Sequence, residues 1–208
     1  MTLLDSLNWR YAVRQFNQQT LSPSDVNILR EVVRLTPSSY GLQPYRLIVV
    51  ESQAVKDALL PFSMGQQKVA ECSHLFVLAQ RTDIGQGMID DIFSLTEQQQ
   101  QLTAGSLDGY KSHVSDVIGQ FSQQQASTWA SQQAYIALGN LLTVAASMQI
   151  DACPMAGFEA PGFDDVLGLS AHNLTTTVIC ALGYRSEDDA AASSGKVRIP
   201  ADTFSRVA

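Results

Sequence analysis

The sequence predicts a single α+β domain spanning residues 1–208. Three short apolar runs rich in β-branched and aromatic residues, 47–50, 75–79 and 175–182, read as buried strands. The segments between them carry helix starts and apolar stripes of helical period. A chain of 208 residues with 45% hydrophobic content suits one sizeable core, and no repeat, linker or composition shift divides it.

The elements follow in chain order. Thr2 and Asp5 fit an N-cap and third helical position, so 2–8 reads as a short helix delivering Trp9 and Arg10. Ser22-Pro23-Ser24-Asp25 combines a cap, a first-position proline and a first-turn acid. That helix runs to about residue 35 on Val26, Leu29, Val32 and Val33, and stops ahead of Pro37. Pro37-Ser38-Ser39-Tyr40-Gly41-Leu42-Gln43-Pro44 is then a polar, kinked loop pinned by the strand after it. A short helix is expected over 53–60. His74 opens the next strand as a structural histidine. Residues 85–121 are mainly helical in pattern, with a break near 105–109. Residues 127–150 carry no charge and read as a helix buried on most sides, the centre of a dimer core. Polar interruptions and the lack of basic flanks argue against a membrane span there. Residues 151–157 read as the turn that follows, 161–169 as a short helix, and 175–182 as a central strand ending at Gly183.

Charge narrows the function. The net charge is −7 with no basic tract, which argues against nucleic acid or an anionic membrane as partner. Cys72, Cys153 and Cys180 lack metal-type spacing and sit in apolar surroundings, so they read as core residues. With no signal-peptide pattern, a cytoplasmic location is expected. No glycine-rich dinucleotide fingerprint, phosphate-binding P-loop or nucleophile elbow is present.

The few bases are informative. Arg10 and Arg14 lie four apart and could reach one phosphate, a task that suits arginine; taken alone they fit two solvated surface residues better. Lys196-Val197-Arg198 places two bases on one side of an extended segment. Together with the 37–44 loop, the pattern Trp129, Gln133, Tyr135, Gly139, Asn140, and the run Pro154-Met155-Ala156-Gly157-Phe158, these segments resemble the FMN-dependent nitroreductase family in order and spacing.

The resemblance implies a mixed, mostly antiparallel sheet flanked by helices, in an intertwined homodimer with FMN at the interface. It implies that Arg10, Tyr11, Ala12, Arg14, Lys196 and Arg198 hold the phosphate and flavin edge. It places Lys68 beside the pyrimidine ring with Gln67 near it, and Pro154, Met155, Ala156 and Gly157 at flavin N5. Pro37, Ser38, Ser39 and Gly41 would reach the partner's flavin. Three positions depart from the common family residues: Ala12 for Ser, Gly41 for Asn and Ala156 for Glu. A main-chain N–H survives the last change; the carboxylate does not.

The implied reaction is ping-pong: NADH or NADPH gives hydride to N5 and leaves, and an oxidised acceptor takes the electrons in its place. No protein nucleophile or metal is required, because the cofactor carries the chemistry. Flat, electron-poor acceptors such as nitroaromatics and quinones are expected. Two alternatives stay open: a flavin, pteridine or small-aldehyde reductase of the same fold, and an FMN-binding carrier or sensor without turnover.

Overall fold

The computed structural model describes residues 2–207. Four strands, β1 (Tyr45–Val50), β2 (His74–Arg81), β3 (Asp151–Met155) and β4 (Leu174–Gly183), form one sheet in the order β1-β2-β4-β3. Every neighbouring pair is antiparallel. Parallel pairing among the described residues is confined to an isolated bridge between Ala12 and Ala152. In β2, Phe76 and Leu78 face one layer and Leu75 and Val77 the other, all fully buried. A strand covered on both faces has to be apolar throughout, which is why this run lacks alternation.

Helices supply both covers. They are α1 (Leu3–Trp9), α2 (Pro23–Arg34), α3 (Gln53–Leu59), α4 (Lys68–Glu71), α5 (Gln86–Gln99), α6 (Asp108–Gly119), α7 (Gln123–Ser147), α8 (Ala160–Leu167) and α9 (Ala201–Phe204). On one face, Leu29 and Val33 of α2 and Ala137, Leu141 and Ala145 of α7 pack with Phe76, Leu78 and Val178. On the other, Leu59, Val69 and Phe163, from α3, α4 and α8, pack with Leu75, Val77 and Ile179. A smaller cluster, Met88, Ile89, Phe93, Val114, Ile118 and Leu42, joins α5 to α6 beside the main core.

The expected caps are present. Thr2 and Asp5 close a capping box on α1, and the Ser22 side chain accepts the Asp25 N–H on α2. All three cysteines are free and buried. His74 is buried, with Nδ1 2.8 Å from the Ser73 hydroxyl.

Three expectations need correction. The long apolar helix starts at Gln123, not 127, because Ser122 and Gln125 form a capping box ahead of the apolar run. Its burial is one-sided within the chain: Ala134, Ala137 and Leu141 are buried, whereas Tyr135 and Ile136 are 44% and 46% exposed. Residues 151–155 form strand β3 instead of a turn. Pro154 hides that strand in the sequence, yet β3 is at the sheet edge, where a missing N–H is tolerated.

Candidate functional site

The N- and C-terminal segments meet at the β3 edge. α1 stops at Arg10, whose extended backbone (φ −71°, ψ 144°) turns the chain out of the helix. Val13 and Phe16 then anchor the following segment in the core, with bridges from Ala12 to Ala152 and from Phe16 to Arg185. Ala12 and Arg14 are thereby left exposed.

Beyond β4 the chain returns to the same place. Arg185 pairs with the buried carboxylate of Asp151, its Nε 2.9 Å from Oδ2. Its guanidinium carbon lies 4.2 Å from the Trp9 ring centroid and 4.6 Å from that of Tyr11. Lys196 Nζ donates to the carbonyls of Leu7 and Arg10, the latter at 2.6 Å. The result is a cavity of about 700 Å³ whose walls include Arg10, Tyr11, Ala12, Arg14, Lys196 and Arg198.

The electrostatics of this cavity favour an anion. None of its four bases has a carboxylate within ion-pair distance among the described residues. Burial, and then repulsion from Arg10 and Arg198, push the Lys196 ammonium below the ordinary lysine value. Arg10 Nε is buried without a hydrogen-bond partner, a state that costs free energy unless a ligand supplies the acceptor. Two acids reach the lining, Asp188 and Asp189. Asp189 is buried; burial alone would raise its carboxyl, but N–H groups of Arg14, Ala191 and Gln15 and the Tyr11 hydroxyl hold it below the usual range. Tyr11 is pushed up to about 12, by burial first and then by its bond to Asp189, so it stays a donor. This donor set fits a phosphate monoester.

Arg14 also borders a second pocket of about 300 Å³ with Gln66, Gln67 and Lys68. Burial raises the Cys153 thiol, while the nearby charge of Lys68, followed by the charges of Arg10 and Arg14, acts in the opposite direction. Lys68 therefore stands against β3, just before Pro154. Gln66 Nε2 donates to the Gly157 carbonyl at 2.9 Å and to that of Ser63 at 3.0 Å, tying this loop to Ala156-Gly157. Met64, in the left-handed region (φ 56°) and 70% exposed, lies over Gly157, its Sδ 3.8 Å from where a Cβ would stand.

Most of the expected site residues are thus drawn together, in two adjoining pockets and the 156–157 turn. Met155 differs: its side chain is in the core under α8, leaving its main chain as the part that can face a ligand. The 37–41 loop borders neither of the two cavities. It packs instead on α7, where the Ser39 N–H donates to Gln133 Oε1 at 2.8 Å, and Gly41 (φ 68°) completes the turn. Sequence reasoning missed Gln66, Met64 and Asp189. Gln66 was findable as a neighbour of Gln67. Asp189 was not, since Glu187-Asp188-Asp189 gives no sign of which acid turns inward.

Known proteins share the fold that carries this site. A sequence model of the Nitroreductase family matches residues 7–184. A protein of Staphylococcus aureus (strain N315), provisionally named an NAD(P)H nitroreductase, is 34% identical over 201 residues, covering 90% of this chain and 88% of its own. A provisionally named nitroreductase from Bacillus subtilis has a crystal structure that matches with a TM-score of 0.87 at 21% identity, covering 99% of this chain and 98% of the other. Another, from Exiguobacterium sibiricum 255-15 and solved in complex with FMN, matches at 0.85 and 17% identity, covering 100% and 98%. At such identities the two structures establish the fold. The matched span and the close relative establish more: this chain belongs to the nitroreductase family, a family of oxidoreductases.

Proposed function

We propose that the chain is an FMN-dependent oxidoreductase that takes electrons from NADH or NADPH and passes them to a small conjugated acceptor such as a nitroaromatic or a quinone. The observation that carries this reading is the anion cavity, in which Arg14, Lys196 and Arg198, without a carboxylate partner among the described residues, share the lining with Arg10, whose Nε lacks an acceptor. The FMN bound to the Exiguobacterium relative, and the NAD(P)H in the name of the Staphylococcus relative, support the choice of ligands.

Arg10, Arg14, Lys196 and Arg198 would hold the phosphate by charge-assisted hydrogen bonds. Lys68, beside Arg14, would place a cation at the ring edge, where negative charge grows on reduction. The N–H groups of Ala156 and Gly157 offer donors, and Gln66 fixes that turn by its bond to the Gly157 carbonyl, with Met64 beside it. When bound, FMN would supply the redox chemistry, a two-electron transfer between the nicotinamide donor and the acceptor.

The site is completed in a homodimer under this reading. Ser38, Ser39 and Gly41 lie away from the cavities of their own chain, and α7 leaves Tyr135 and Ile136 exposed, as α1 leaves Leu3 and Leu4. A second copy would cover this apolar surface and bring its loop to the flavin.

The test is the visible spectrum of the purified protein, taken before and after anaerobic NADPH, then NADH. A flavin spectrum that bleaches and returns on adding a quinone is the expected result. Flavin that never bleaches turns the reading toward a carrier or sensor. A protein that stays colourless after incubation with FMN overturns it.

A further inference from the structure

We propose that Asp189 is a positioning residue for the anion cavity, its buried carboxylate clipping the 10–15 segment to the 188–198 loop so that bases from both ends of the chain face one phosphate group. The inference rests on the FMN reading above. Asp189 is 4% exposed, yet it forms no ion pair with any base around it. Its oxygens are occupied otherwise. Oδ2 accepts from the Arg14 N–H at 2.9 Å, the Gln15 N–H at 3.4 Å and the Tyr11 hydroxyl at 3.0 Å. Oδ1 accepts from the Ala191 N–H at 3.0 Å. One side chain thus binds two segments separated by most of the sequence.

A carboxylate in the wall of an anion cavity ought to repel the ligand. Here its lone pairs are spent on main-chain N–H groups and a hydroxyl, so it contributes position more than field. Tyr11 extends the clip. Its ring is covered by the Arg185 guanidinium, which also covers Trp9 and pairs with Asp151. Asp189, Tyr11, Arg185 and Asp151 form one continuous brace from the end of α1 to the start of β3 and the chain beyond β4. The brace sets how far Arg10 and Arg14 stand from Lys196 and Arg198. Without it the four bases remain, but nothing obliges them to meet one phosphate, and the loss falls on the phosphate part of the ligand.

That selectivity is the test. FMN and riboflavin, which has no phosphate, are titrated by flavin fluorescence into the full-length wild type, Asp189→Ala, Asp189→Asn and Tyr11→Phe, with thermal melts to establish folding. Asp189→Ala is expected to raise the FMN Kd by about tenfold or more, and Tyr11→Phe by about two- to fivefold. Asp189→Asn, which keeps one acceptor oxygen, should fall between Asp189→Ala and wild type. Riboflavin Kd should stay within about twofold of wild type in all three. Tyr11→Phe removes one hydroxyl and keeps the test open if Asp189→Ala does not fold. FMN and riboflavin weakened together, or an unchanged FMN Kd in the folded variants, would overturn the role of Asp189 while FMN binding by the wild type stands. A wild type that does not bind FMN overturns the functional reading, and this inference with it.

Discussion

Arg10 shows how a single side chain carries both a cost and a purpose. Its Nε is buried without an acceptor, which a stable surface has no reason to retain. Replacing it should weaken FMN binding: Arg10→Ala is expected to lose about 1.5–3 kcal/mol, roughly a 10- to 100-fold rise in Kd by flavin fluorescence titration. Arg198, exposed and bonded to a main-chain carbonyl, tests the same cavity from the other end. Arg198→Ala should speed FMN loss on dilution while leaving the reduction rate of still-bound flavin close to wild type; unchanged retention would remove Arg198 from the site. His74 supplies the pH dependence of stability. Burial first, and Lys56 in addition, hold it below the ordinary imidazole value of 6.5, against the opposing pull of Glu51. Because the folded value is the lower one, the unfolded chain takes up the proton first. Stability is therefore complete above 6.5 and is lost as pH falls below it. Melting temperatures measured between pH 8 and 5 should decline at the acid end, and His74→Gln should flatten the slope.

Elements are held together by small polar and steric devices that hydropathy does not report. α8 is fastened to β4 by Asp164, which accepts from the Thr175 hydroxyl at 2.7 Å, the Thr176 N–H at 2.8 Å and the Thr176 hydroxyl at 2.7 Å. On the same helix, Gly162 is fully buried with the Phe62 ring standing where a Cβ would be. An added methyl would overlap the ring, so either Phe62 or α8 must shift. Gly162→Ala should therefore destabilise the protein by about 1–3 kcal/mol, seen as a lower urea midpoint with an unchanged slope. A midpoint equal to wild type would mean that Phe62 has an easy alternative rotamer. β3 shows the reverse case, an element that its sequence conceals. Pro154 argues against a strand by local rule, but an edge position makes the missing N–H harmless, and only the strand order β1-β2-β4-β3 reveals that β3 is the edge.

At the scale of the whole molecule, α7 packs on the sheet with one side and leaves the other exposed. Its exposed Tyr135 and Ile136 are what the proposed second copy would cover. Ile136→Glu should convert a dimer to monomers in sedimentation velocity and cost FMN retention as well; a wild type that sediments as a monomer with one FMN bound would overturn the shared site. Much of the chain was legible before folding. The apolar, β-branched runs at 47–50, 75–79 and 175–182 became β1, β2 and β4; in β2, buried from His74 to Gln80, cover on both faces is what makes 75–79 apolar at every position. Thr2, Ser22 and their partners marked helix starts, because an unsatisfied N–H needs an acceptor within a few residues. Arg10, Arg14, Lys196 and Arg198 were legible as bases worth gathering in an acidic chain. Such features are local, and local rules expose them. What only the tertiary structure decided is non-local. It brought residues 10–14 and 189–198 around one cavity, turned Asp189 rather than Asp188 inward, set Gln66 against Gly157, and left the 37–41 loop outside its own chain's cavity. Each depends on contacts between segments far apart in sequence, whose partners exist only once the sheet has formed and both of its faces are covered.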